Sequence, residues 1–137
     1  MTMAGRLERS TIGHRQVDTA MDLKNIVSIL DRFAREREWE QFNSPKNLSM
    51  ALSVEAAELL EIFQWMTEDQ SRQAGGEPRK AQAIREELAD IQIYLIRLAA
   101  HFEVDLEQAV LEKIEINARK YPVALAKGNA IKYSDRE

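Results

Sequence analysis

The chain has 137 residues, of which 45% are hydrophobic, a formal net charge of −4 and no cysteine. This length fits one domain with its own hydrophobic core. The absence of cysteine excludes a disulfide framework and a thiolate metal site, and the negative charge argues against polymeric nucleic acid as a partner. No apolar run has the length of a membrane span or of a signal-peptide core. We therefore expect a soluble, cytoplasmic protein with no membrane partner.

The composition favours helices, because only 5 Gly and 3 Pro interrupt a sequence rich in helix-forming residues. We predict an all-α, bundle-like subunit of four to five helices. The four main helices are predicted at about residues 23–38, 48–66, 79–102 and 105–121, from apolar residues at three- and four-residue spacing. We divide the chain into a flexible N-terminal tail at 1–20, a folded domain at 21–122 and a C-terminal tail at 123–137.

Local signals place the ends of these helices. Asp22 is the predicted N-cap of the first helix, and Asn47 that of the second, after a loop containing Asn43 and Pro45. Residues 67–80 are polar and contain a Gly pair, which predicts a flexible connection. The second half of the third helix is apolar on nearly every side, so we expect this helix to lie at the centre of the fold.

The second predicted helix carries acidic residues with no Lys or Arg nearby, and the third repeats the arrangement before a long apolar run whose next positive charge is Arg97. These residues are Glu55, Glu58 and Glu61 in the second helix and Glu86, Glu87 and Asp90 in the third. Residues three apart lie on neighbouring positions of one helix face, so antiparallel packing of the two helices would bring two carboxylate pairs together. Such carboxylates repel each other unless a divalent cation lies between them. Oxygen ligands alone favour Mg²⁺, or Mn²⁺ as a substitute, over zinc.

The alternative to a metal site is an ordinary solvated acidic face. The lack of local basic partners and the repetition of the pattern on a second helix favour the metal site. Since Mg²⁺ is usually completed by substrate phosphates, we expect a phosphate-bearing substrate.

Other residues fit a nucleotide. Trp65 and Tyr94 follow the acidic residues at helical spacing and could stack on a base, although aromatic residues at this spacing also form cores. The row Lys113, Asn117 and Lys120 could hold phosphate or ribose, or could be a solvated stripe paired with neighbouring acids.

Several segments extend the pattern in a fixed order. They are WEQF at 39–42, PKN at 45–47, ELLEIFQW at 58–65, EELADIQIYL at 86–95, VDLEQAVLEKIEIN at 104–117 and KYP at 120–122. Together with the ExxE pair at 55–58 and the EExxD set at 86–90, they resemble the all-α nucleoside triphosphate pyrophosphohydrolases, in the MazG-like branch that includes the dCTP pyrophosphatases. The resemblance covers about residues 22–122.

The resemblance implies a Mg²⁺-dependent enzyme that converts a (d)NTP to the (d)NMP and pyrophosphate, favours dCTP or related pyrimidine dNTPs, and cleans the nucleotide pool. It implies Glu55, Glu58, Glu87 and Asp90 as metal ligands, and we expect Glu61 or Glu86 to orient the attacking water. It further implies Trp39, Trp65 and Tyr94 around the base and Lys113, Asn117, Lys120 and Tyr121 on the phosphate and sugar side, with Lys46 and Asn47 as further candidates. It also implies a homo-oligomer, a tetramer more than a dimer, with sites partly built across subunits.

One position departs from the family pattern. Asn43 stands where related dCTP-preferring enzymes have a histidine, and an amide both donates and accepts hydrogen bonds. We therefore expect broader base specificity, with dCTP still favoured. A dUTPase-like or phosphoribosyl-ATP pyrophosphohydrolase activity remains an alternative, as does a non-enzymatic helical adaptor with an acidic groove. An adaptor would not explain two matched acidic pairs, each followed by an aromatic residue.

Overall fold

The computed structural model describes residues 20–135, which form six α-helices, three short 3₁₀ helices and no strand. The α-helices are α1 (Leu23–Glu36), α2 (Pro45–Phe63), α3 (Glu68–Gln73), α4 (Pro78–His101), α5 (Leu106–Lys120) and α6 (Val123–Ala126). The 3₁₀ helices are Glu40–Phe42, Ala74–Gly76 and Tyr133–Asp135. The all-α prediction is confirmed, and two short helices add to the four predicted. All but the last residue of the tail predicted at 1–20 lies outside the described residues.

Helix α1 begins as predicted, because the Asp22 carboxylate accepts the Asn25 N–H at 3.0 Å. The prediction of Asn47 as the N-cap of α2 is wrong. The Ser44 hydroxyl accepts the Asn47 N–H at 3.2 Å, and Pro45 takes the first helical position. Proline suits that position because its φ is already helical and its missing N–H would have no partner there.

The segment predicted as a flexible connection at 67–80 is ordered, so that prediction is wrong. Thr67 and Gln70 form a capping box, in which the Gln70 N–H donates to the Thr67 hydroxyl at 3.2 Å and the Thr67 N–H donates to Gln70 Oε1 at 2.9 Å. Helix α3 follows, and Ala74 is buried behind it. The pattern Thr-x-x-Gln is a recognisable start signal for a helix. The prediction of a flexible connection gave more weight to the Gly pair than to this signal.

Two residues beyond the ends of α1 and α4, a non-glycine residue adopts the left-handed backbone conformation. Glu38 has a φ of 54° and Glu103 a φ of 53°. In α1 the next N–H, that of Trp39, returns to the Ala34 carbonyl at 2.9 Å, and the Trp39 ring meets Phe33 edge-on with centroids 5.8 Å apart. This closing bond with its apolar contact is a Schellman cap, and it offsets the backbone strain at Glu38.

Helices α2 and α4 form the central pair, and α1 packs against α4. The pair is antiparallel, since Leu48 near the start of α2 shares a cleft with Ile96 near the end of α4, while Ile62 near the end of α2 shares one with Lys80 near the start of α4. The central position predicted for α4 is confirmed. The buried core of the described chain is small and consists of Ala34, Leu48, Ala74, Ile96 and Ala99.

Helix α5 extends away from this pair. Leu106 is half-buried, but every residue from 107 to 120 is exposed, including the apolar Val110, Leu111 and Ile114. Leu60 of α2 and Leu88 of α4 are also more than half exposed. Within the described part of the chain, no helix combines the length and apolar character needed to cross a membrane.

Candidate metal centre and its flanking clefts

The antiparallel α2–α4 pair brings three of the predicted metal-ligating carboxylates together. One carboxylate oxygen from each of Glu55, Glu58 and Glu87 lies within 4.8 Å of the other two. Glu55 and Glu58 share a face of α2 because they are three residues apart, and the packing of α4 places Glu87 opposite them. Asp90, one turn after Glu87, lies close enough for its charge to act on both Glu55 and Glu87.

The electrostatics of this carboxylate cluster oppose full ionisation. Loss of surrounding solvent raises the pKa of the Glu55 carboxyl above its ordinary value, and the charges of Glu58 and Asp90 raise it further. Loss of solvent, followed by the charges of Glu58 and Asp90, also raises the pKa of Glu87, and a hydrogen bond with Glu55 offsets part of this rise. Desolvation and like charge both penalise the ionised form, so the cluster is stabilised by whatever brings positive charge to it.

No basic side chain of the described residues supplies that charge. The ion pairs of the structure involve none of these four carboxylates, and the buried Oε2 atom of Glu87 has no hydrogen-bond partner. Buried polar oxygens without a partner are rare and call for an explanation. Hard carboxylate oxygens, one of them unsatisfied, form a donor set that fits a divalent cation such as Mg²⁺ or Mn²⁺.

The two residues predicted to orient water lie beside the cluster in different surroundings. Glu61 is exposed one turn after Glu58 and lines a cleft at the end of α2. Glu86 is exposed on α4, where its Oε1 accepts a 2.6 Å hydrogen bond from the Gln82 amide. The Glu86 carboxylate is already engaged by Gln82, so Glu61 is the more available of the two.

A cleft lies at each end of the α2–α4 pair. The Trp65 cleft, with a volume of about 420 Å³, is lined by Glu61, Ile62, Trp65, Met66, Gln70, Gln73, Ala74, Glu77 and Lys80. The Asn43 cleft, of about 320 Å³, is lined by Val27, Leu30, Asp31, Glu40, Asn43, Leu48, Ile96, Arg97, Ala100 and His101. Along α2, the cluster residue Glu58 lies seven residues, or about 10 Å, before Trp65 of one cleft. The cluster residue Glu55 lies the same distance after Leu48 of the other cleft. The carboxylate cluster therefore lies between the two clefts.

The structure separates two residues that were expected to share one base pocket. Trp65 follows the end of α2, and Asn43 precedes its start. The 19 residues of α2 span about 28 Å, which is too far for both side chains to touch one base in a single chain. Trp65 is 88% exposed, so its ring is available to a ligand or to a second copy of the chain.

The other predicted base-site residues have structural contacts of their own. Trp39 packs edge-on against Phe33, as described above, and remains half exposed. Tyr94 is half-buried on α4, one turn after Asp90. Asn47 donates its side-chain amide to the Phe42 carbonyl at 3.0 Å and so ties the 3₁₀ helix at 40–42 to α2. Lys46, in the first turn of α2, is exposed.

The predicted phosphate-side residues are not brought to the cluster within one chain. Lys113, Asn117 and Lys120 are exposed on α5, which does not pack along α2 or α4. The Tyr121 hydroxyl accepts the Tyr133 N–H at 3.4 Å, and the two rings meet edge-on. Tyr121 therefore anchors part of the segment predicted as a C-terminal tail.

Sequence reasoning missed the charged residues of the Asn43 cleft, Asp31 and Arg97. One signal was available, because Arg97 is the first positive charge in the apolar run that follows Asp90. Nothing in the period of α1 distinguishes Asp31 from its exposed neighbours. Asp31 lines the cleft only because α1 packs against α4.

Comparison with known proteins agrees with this geometry. A sequence model of the MazG-like family matches residues 50–135. The chain is 41% identical to dCTP pyrophosphatase 1 of Mus musculus, over 98% of this chain and 84% of that protein. It is 49% identical to dCTP pyrophosphatase 1 of Bos taurus, over 82% of this chain and 67% of that protein.

A solved structure shows the same fold. The crystal structure of a pyrophosphatase from Archaeoglobus fulgidus aligns with a TM-score of 0.68 and 38% identity, over 76% of this chain and 95% of that one. The matched region contains Glu55, Glu58 and Glu87, which α2 and α4 bring together, and Asp90 beside them. By its sequence, its fold and this cluster, the chain belongs to the MazG-like family.

Proposed function

We propose that this protein is a metal-dependent nucleoside triphosphate pyrophosphohydrolase that converts a dNTP to the dNMP and pyrophosphate, favours dCTP, and removes nucleotides from the pool. The observation that carries this proposal is the cluster of Glu55, Glu58 and Glu87, with Asp90 beside it and no basic partner among the described residues. Relatives that are 41% and 49% identical are dCTP pyrophosphatases, which supports the reaction and the base preference.

Glu55, Glu58, Glu87 and Asp90 would hold Mg²⁺, with Mn²⁺ as a substitute. When bound, the cation would neutralise charge on the phosphate oxygens and lower the pKa of a coordinated water. In the reaction, water adds to the α-phosphorus and the bond from this phosphorus to the oxygen bridging to the β-phosphate breaks. Pyrophosphate leaves, and the proton of the water passes to a carboxylate.

Glu61 is the carboxylate that we assign to the water, because it lies one turn from Glu58 and has no hydrogen-bond or ion-pair partner among residues 20–135. Glu86 is held by Gln82 and would act on the cluster only through its charge. The phosphates would then lie over the middle of the α2–α4 pair, with a cleft available on either side for the base.

We infer that a complete site needs two copies of the chain. Trp65 and Asn43 lie at opposite ends of α2, so one base can meet both only if each comes from a different copy. The exposed apolar surface of α5, and of Leu60 and Leu88, supports such an assembly. The row Lys113, Asn117 and Lys120 would then reach phosphates of the other copy. A dimer, paired into a tetramer, is the assembly that we propose.

Product analysis tests the reaction. Purified protein with Mg²⁺ and dCTP should release dCMP and pyrophosphate, and a chelator should abolish the release. Release of dCDP and orthophosphate as first products would contradict the proposal.

Mixing two inactive variants tests the shared site. An Asp90→Ala chain has intact cleft residues, and a chain in which Asn43 is replaced by Trp keeps its carboxylates while its cleft is filled. Activity that returns on mixing, at up to about a quarter of the unmodified level for a randomly assorted dimer, would support a site built from two copies. A mixture no more active than the two separate proteins would show that the Asn43 cleft and the carboxylates of one site come from the same chain.

A further inference from the structure

Two opposite charges line the Asn43 cleft without partners. Asp31 comes from α1 and Arg97 from α4, and no described residue forms an ion pair within 4.0 Å or a hydrogen bond with either side chain. The other acid of the cleft, Glu40, is already paired with Arg35 at 3.8 Å. The exposed Asp31 and the half-buried Arg97 therefore line the same space, and neither side chain is bonded to another described residue.

The position of Arg97 is unusual for an unpaired arginine. Its side chain is half-buried in the last turns of α4, between the buried residues Ile96 and Ala99. Arginine is seldom removed from water unless it is paired. Leu30, Leu48 and Ile96 give the cleft apolar walls, and apolar walls with a few convergent polar groups are the usual form of a small-molecule site.

The chemistry of the two side chains restricts what they recognise. An ionised aspartate only accepts hydrogen bonds, and arginine only donates them. Cytosine presents an exocyclic amino group, which donates, beside a ring nitrogen and a carbonyl oxygen, which accept. Thymine and uracil carry a carbonyl oxygen in place of that amino group, and a carboxylate at this position would repel it.

We propose that Asp31 and Arg97 are specificity-determining residues that read the edge of the substrate base, Asp31 accepting from the cytosine amino group and Arg97 donating to the ring nitrogen and carbonyl oxygen. This inference rests on the proposed pyrophosphohydrolase function and adds the residues that select the base. Asn43 lines the same cleft and can donate or accept, so it tolerates several bases while the charged pair discriminates among them.

The test compares dCTP and dTTP with the full chain. Asp31→Asn keeps the shape of the side chain but supplies an amide N–H to the thymine oxygen. The ratio of kcat/KM for dCTP to that for dTTP should fall by roughly 5- to 150-fold, the range for one discriminating base contact. Arg97→Gln should raise KM for dCTP more than it lowers kcat. The controls are Glu36→Gln on α1 and Arg85→Gln on α4, which change the same charges at exposed positions outside both clefts.

Calorimetric binding of dCMP and dTMP to the same proteins gives a readout that is independent of turnover. The expected result is loss of dCMP preference in Asp31→Asn and Arg97→Gln and its retention in both controls. An unchanged preference in both cleft variants would overturn the inference, as would an unmodified chain that does not distinguish dCTP from dTTP. An unmodified chain that releases no pyrophosphate from any dNTP would instead contradict the proposed function.

Discussion

Replacement of Trp65 by alanine should separate activity from stability. Trp65 is 88% exposed, so about an eighth of the roughly 150–250 Å² that a buried aromatic side chain contributes is covered in the single chain. At about 25 cal/mol per Å², this burial stabilises the chain by about 0.5–0.8 kcal/mol. Loss of one stacked base costs about 1–3 kcal/mol. The free-energy change calculated from the fall in kcat/KM should therefore exceed the change in the free energy of unfolding.

Trp39→Ala is the reference for stability alone, because Trp39 is itself a predicted base-site residue. Trp39 is 50% exposed and packs on Phe33, so the same bookkeeping gives about 2–3 kcal/mol of stability for its covered half. Urea unfolding at low protein concentration measures both values, and steady-state kinetics with dCTP measures kcat/KM. A Trp65→Ala protein with unchanged kcat/KM, or one as unstable as Trp39→Ala at concentrations where the chain is a monomer, would refute the assignment of Trp65 to the base.

Three further predictions concern the carboxylates and a helix end. Asp90→Ala should abolish pyrophosphate release while the circular dichroism spectrum is retained; near-full activity with Mg²⁺ would show that Asp90 is not a ligand. The pKa values of Glu55 and Glu87 are raised above their ordinary 4.5, so the folded metal-free chain binds more protons than the unfolded chain does. Its free energy of unfolding should therefore fall as pH rises from about 4.5 through the raised pKa values. Glu87→Gln should flatten this dependence in chelator-treated protein, and an equal slope in both proteins would argue against coupling within the cluster. Glu103→Gly should stabilise the chain by up to about 1.5 kcal/mol, since it relieves a left-handed conformation worth about 1–2 kcal/mol and adds about 0.5–1 kcal/mol of backbone entropy cost. Glu103→Val should lower the melting temperature, and a rise would contradict the cap geometry.

Features that depend on spacing along one helix could be predicted from the amino-acid sequence. Asp22 caps α1 as predicted because the capping interaction joins residues only three apart. Glu55 and Glu58 share a helix face for a similar reason, and so do Glu87 and Asp90. The apolar run after Asp90 indicated that α4 is central. The same local rules could have placed α3, since the Thr67 capping box was visible in the sequence.

Other features arise only when the helices pack against one another. Which carboxylates meet depends on the register of α2 against α4, and that register brings Glu87 to Glu55 and Glu58. The desolvation that raises the Glu87 pKa exists only once the helices pack. The meeting of Asp31 with Arg97 in one cleft arises from contact between helices far apart in sequence, and no periodicity within either helix encodes it.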